Sequence, residues 1–160
     1  MDSTQRKAKL KQKLTDFRKR SQLKEAHQLL IKLGIPLDLC QIFLPNTAEA
    51  DHLEQWLSQS FPWQSGQIDW HRMSGHICVK WHEQPASIFH ELCQTQQLPN
   101  SIVNVVWFSA AQPILAMPLD VVKLSLEAIV FEDWDTWIFD PVAGWCVEFY
   151  HEGSMCYGRI

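Results

Sequence analysis

Apolar residues recur at helical spacing along the first stretch of the chain. Leu10, Leu14 and Phe17 make one stripe, and Leu23, Ala26, Leu30 and Leu33 make another, slightly out of phase. No Gly or Pro interrupts residues 4–33. The spacing therefore predicts a helical segment there, and the phase slip near Arg20 and Ser21 predicts a kink or two consecutive helices. "LGIP" closes it, because Gly34 suits the position just past a helix and Pro36 cannot continue one. A second helix is predicted from "PNTAEADHLEQWL". Asn46 is the expected N-cap, Glu49 completes a capping-box pattern, and Ala50, Leu53, Trp56 and Leu57 form the apolar face.

In "GQIDWHRMSGHICVKW", Ile68, Trp70 and Met73 precede Gly75, and Ile77, Val79 and Trp81 alternate after it. That reads as two antiparallel strands joined near "MSG". "PASIFHELCQTQQL" reads as a helix with Ile88, Leu92 and Cys93 on one face. "SIVNVVWFS" reads as a buried strand, and "MPLDVVKLSLEAIVFED" returns to helical spacing at Leu119, Val122, Leu126 and Ile129. The end alternates strand and turn: "DTWIFD", "PVAG", "WCVEFY", "HEGS", "MCYGRI". These elements predict an α+β fold in which N-terminal helices pack with a mainly antiparallel sheet ending in a C-terminal three-stranded meander. One domain is expected over residues 1–160, with a basic helical part at residues 4–33.

Composition fits that picture: 160 residues, 46% hydrophobic and 20% charged, suit a globular domain with its own core. No apolar run approaches the roughly 18 residues of a membrane span. The basic N-terminus has no apolar stretch behind it, so it does not read as a secretory signal. Five widely spread cysteines (Cys40, Cys78, Cys93, Cys146 and Cys156) suggest reduced thiols rather than a disulfide framework, and so a cytoplasmic protein. The net charge of -4 is unevenly spread. Residues 1–40 carry ten Lys/Arg against four Asp/Glu, whereas residues 115–160 carry two against eight. The two ends either satisfy each other within the fold or face oppositely charged partners.

Enzyme motifs are absent. There is no G-x-S-x-G elbow, no phosphate-binding loop and no Gly-rich dinucleotide turn. Three His-Glu pairs, at His82, His90 and His151, lack the second histidine that would bring two imidazoles to one zinc. His76 with Cys78, and Cys146 with His151 and Cys156, lack the spacing of a metal site, and His71 near Cys78 is the kind of pair that chance supplies. Neither catalysis nor a metal or other cofactor is expected. The basic run "RKAKLKQKLTDFRKR" can neutralise phosphates, but Phe17 is its only aromatic platform and the rest of the chain is acidic. A solvated helix face is the simpler reading, and nucleic-acid binding is the alternative one.

Two places suggest contact with a partner. Trp134 is framed by Asp133 and Asp135 in "FEDWDTW", the composition of an interface hot spot against a basic surface, although core packing is the commoner role of a tryptophan and the first expectation here. His151 and Glu152 fall in a hairpin turn whose Gly153 supplies the positive φ such turns need. A hairpin tip is a poor place to tune an acid or base and a good place to touch something.

The segment "MPLDVVKLSLEAIVFEDWDTWIFDPVAGWCVEFYHEGSMCYGRI", and above all "EDWDTWIFD" and "GWCVEFYHEG", resembles immunity proteins of bacterial contact-dependent growth inhibition and related polymorphic toxin systems. The resemblance covers about the last 45 residues and does not include the basic N-terminal helices. It implies a small cytosolic protein without catalysis that binds the toxic C-terminal domain of a cognate effector, often a nuclease. Such a partner would present a basic face, and no membrane partner is expected. The contact set expected on charge and turn placement is Glu132, Asp133, Trp134, Asp135, Glu148, His151 and Glu152.

Overall fold

A computed structural model describes residues 3–160. Helix α1 spans Ser3–Leu33 without interruption. The expected kink is absent because the phase slip between the two stripes falls where the helix leaves the body. Only the second stripe packs, through Ala26, Leu30 and Leu33 with Leu29 beside them; its Leu23 is exposed, as are residues 3–20 throughout. The helix closes as "LGIP" predicts, with Gly34 N bonded to Ile31 O and Ile35 N to Leu30 O.

Strand β1 (Gln41–Phe43) follows, then α2 (Ala48–Ser60). The N-cap of α2 is Thr47, whose hydroxyl accepts from Ala50 N, and not Asn46, which sits one residue too early at φ 60°. The predicted apolar face of α2 holds, with Ala50 and Leu57 buried and Leu53 and Trp56 partly so. The next region departs from the sequence reading. β2 (Trp63–Gln64) and β3 (Gln67–Ile68) form a small hairpin of their own, Trp70–Arg72 is a 3₁₀ turn, and β4 (Ile77–Lys80) pairs with the C-terminal strand instead of with β3. β4 finds its four-residue ladder along that C-terminal strand, at the edge of the main sheet, and "MSG" is a loop leading to it.

α3 (Pro85–Thr95) buries Phe89, Leu92 and Cys93, and β5 (Ile102–Trp107) is the expected buried strand. β6 (Ile114–Pro118) is a strand that no local pattern predicts, and it takes Met117 and Pro118 from the expected start of the next helix. The helical stretch after it divides at Ser125 into α4 (Leu119–Leu124) and α5 (Leu126–Val130). β7 (Thr136–Asp140), β8 (Trp145–Tyr150) and β9 (Ser154–Arg159) form the predicted meander. The seven-stranded sheet runs β1-β6-β5-β7-β8-β9-β4, antiparallel throughout. The fold is α+β.

Both faces of this sheet are covered. The C-terminal part of α1 together with α3, α4 and α5 packs on one face, against Val103, Val105, Ile138, Trp145, Val147 and Phe149. α2 and the β2–β3 hairpin cover the other, against Trp137, Phe139, Cys146 and Cys156. Gly158 lets this second layer close: a Cβ there would lie 2.6 Å from the Trp70 ring. Cys78 and Cys156, directly opposite in the β4–β9 register, are joined by a disulfide. That corrects the expectation of five thiols, because strand pairing brings together two cysteines 78 positions apart, which spacing alone does not reveal. Cys40, Cys93 and Cys146 are free, and burial pushes the first two thiols up to about 11 and the third well above its ordinary value.

Candidate partner-binding surface

The segment from Phe131 to Asp135 connects α5 to β7, and the turn 151–153 connects β8 to β9; pairing of β7 with β8 sets them side by side. Between them and Trp81 lies an open groove of about 520 Å³. Its aromatic walls come from Trp81, Phe131, Trp134 and Tyr150, and its polar rim from Glu132, Asp133 and His151. Trp134 is 67% exposed, an unusual cost for a large aromatic that has a core available to it.

Hydrogen bonds fix this surface from beneath. Asp135 is only 4% exposed, and its Oδ1 accepts from His151 N at 2.8 Å and lies 2.9 Å from His151 Nδ1. The imidazole is thereby held in place, with the Trp134 ring edge-on at 4.9 Å and the Tyr150 ring at 4.2 Å. Asp133 accepts from Trp134 N through Oδ1 and from Ser109 N through Oδ2, each at 2.8 Å, which pins the Trp134 backbone. Lys32, near the end of α1, donates to Glu132 at 2.7 Å, and Gln112 donates to its other oxygen. From the other side, Trp81 N donates to Gly153 O across the β4–β9 junction. Gly153 itself, at φ 85°, takes the left-handed conformation that a side chain would resist and closes the turn through its N–H to Tyr150 O. The Trp81 indole N–H is buried with no hydrogen-bond partner among the described residues.

Of the seven residues singled out from the sequence, the structure brings Glu132, Asp133, Trp134 and His151 to the groove, and Glu152 is exposed in the turn next to it. Asp135 and Glu148 are not at the surface. Glu148 is 2% exposed and accepts from Ile68 N at 2.9 Å, Trp70 Nε1 at 2.9 Å and Trp137 Nε1 at 2.7 Å. Burial pushes its carboxyl above the usual carboxylate range, and those three donors pull it back part of the way. Strand alternation places Glu148 on the face of β8 opposite Trp145 and Phe149. It could not show that α2 and the β2–β3 hairpin cover that face too. A signal was present, since a lone carboxylate in the apolar strand "WCVEFY" needs internal donors wherever both faces are covered.

Trp81, Phe131 and Tyr150 were missed as groove residues. Trp81 reaches the groove only through the β4–β9 pairing, which local pattern does not carry. The candidate metal sets do not assemble either. Cys78 and Cys156 are spent in the disulfide, His76 Nδ1 lies 2.8 Å from Met73 O, and no group of three or more His, Cys, Asp or Glu among the described residues is placed to hold an ion.

A family model described as "CdiI immunity protein EcoliA0-like" matches residues 40–158. The chain belongs to this family, in agreement with the resemblance carried by its C-terminal third, while α1 lies outside the matched region. No curated protein matches the chain.

Proposed function

We propose that this chain neutralises the toxic C-terminal domain of a cognate contact-dependent growth inhibition effector by binding it over the surface around Trp134. Membership of the immunity family gives the class of task, and the observation that carries the surface is the exposed Trp134 ring, clamped between Asp133 and the Asp135–His151 pair. A rigid aromatic offered to solvent loses little side-chain entropy on binding and buries a large area, which is how interface hot spots work. Glu132, Asp133, Trp134, His151 and Glu152 form the contact set. Asp135 and Glu148 lie beneath it, as buried carboxylates that hold the turn and the β8 strand in position.

The toxin partner is read as a basic protein, in keeping with the eight acidic residues against two basic ones in residues 115–160. A nuclease fits that description, because its substrate groove must be cationic and carboxylates can stand in for phosphates there. Association would then be fast and weakened by salt. The chain acts by occlusion, without catalysis of its own, in the cytoplasm where the toxin would do damage. Affinity capture from the native bacterium at low salt, followed by mass spectrometry, tests the reading. A stoichiometric partner, released by salt and lethal when expressed alone, is the expected result; recovery of nucleic acid without a protein partner contradicts it.

A further inference from the structure

We propose that the projecting part of α1 docks on an anionic lipid surface, lying along the headgroups with Leu10, Leu14 and Phe17 turned into the bilayer. The helix is 31 residues long, yet no residue from Ser3 to Arg20 is covered by the rest of the protein, which leaves roughly 27 Å of helix standing free. Leu10, Leu14 and Phe17 lie on one side of it and are 60, 50 and 71% exposed. From Ser3 to Arg20 there are eight Lys/Arg against Asp16 alone, and among the described residues none of these cations is in an ion pair. Among the described residues the one ion pair between α1 and the acidic C-terminal region joins Lys32 to Glu132, so the charges of the two ends largely do not satisfy each other within the fold.

The arrangement of the cations selects the partner. At roughly 100° per residue, Lys7, Lys11 and Arg18 fall along one flank of the apolar stripe, and Arg6, Lys13 and Arg20 along the other. Gln12, Thr15 and Asp16 take the opposite pole together with Lys19, and there Gln12 bonds to Asp16. An interfacial helix has this order: apolar side chains enter the acyl boundary while long basic ones on both flanks reach back to the headgroups. A nucleic-acid duplex would want the cations on one continuous face and would leave the three apolar side chains unused. A second copy pairing through the same stripe would bring the two sets of flanking cations together. No helix among the described residues is long and apolar enough to cross a membrane, but surface docking does not need one. The inference stands apart from toxin binding, since α1 lies outside the matched family region.

The test is co-sedimentation of the full-length protein with vesicles of phosphatidylcholine alone and with phosphatidylcholine containing phosphatidylglycerol, at low and high salt. The triple variants Leu10→Gln/Leu14→Gln/Phe17→Gln and Lys7→Gln/Lys11→Gln/Arg18→Gln are run beside it. Glutamine keeps helix propensity, and none of these side chains supports the core. Expected are partition onto the phosphatidylglycerol vesicles only, weakening with salt, and a loss of at least about tenfold in both variants. Failure to sediment with anionic vesicles overturns the proposal. So does undiminished sedimentation of the apolar triple variant, or tighter binding to a DNA duplex that this variant leaves unchanged.

Discussion

Glu148 shows how one residue organises two layers. Its carboxylate gathers the Ile68 amide and the Trp70 and Trp137 indoles, tying the second layer to the central strand of the meander. In Glu148→Gln an amide NH2 replaces one oxygen and faces a donor, so at least one buried N–H loses its acceptor. The expected cost is about 2 kcal/mol, read as a lower urea midpoint at neutral pH. The pH dependence has a definite sign. The folded carboxyl titrates above its ordinary value of 4.5, so the stability this group contributes is full below that value and declines as pH rises through the folded pKa. The stability gap between wild type and Glu148→Gln should therefore be wider in acid than at neutral pH, as urea titrations across that range would record.

Among the elements, the C-terminal meander was the most legible in the sequence, because each of its turns is local and each strand alternates. The β4–β9 pairing was not, nor were β1 and β6. β1 is three residues long, β6 runs straight into a helix, and β4 meets a partner far along the chain, so no periodicity marks the pairing. The same distance hid the Cys78–Cys156 disulfide. Replacing both cysteines with alanine removes a cross-link over a sequence separation of 78, and is expected to cost about 2–4 kcal/mol in denaturant unfolding. The hairpin tip was legible as a turn, but its clamp was not, since Asp135 reaches His151 from the segment that leads into β7. Asp135→Ala leaves the His151 amide without that acceptor and should cost about 1–3 kcal/mol, with faster hydrogen exchange at the His151 amide. Asp135→Asn keeps an oxygen available and should cost less.

At the scale of the molecule, acid and base are segregated: the sheet body carries an acidic groove beside an aromatic turn, and a cationic helix stands away from it. The family match covers the body from residue 40 to residue 158, and the helix lies outside it. Charge counts made the segregation visible at once, whereas the groove became visible only when three separate segments had been folded against one another. The claim that Trp134 anchors toxin binding is tested most directly by calorimetric titration of the purified toxin domain with wild-type protein and with Trp134→Ala. Because the ring is exposed, the variant should keep the wild-type urea midpoint while its Kd rises at least about 100-fold. An unchanged Kd would contradict the claim and move the interface to another face of the protein.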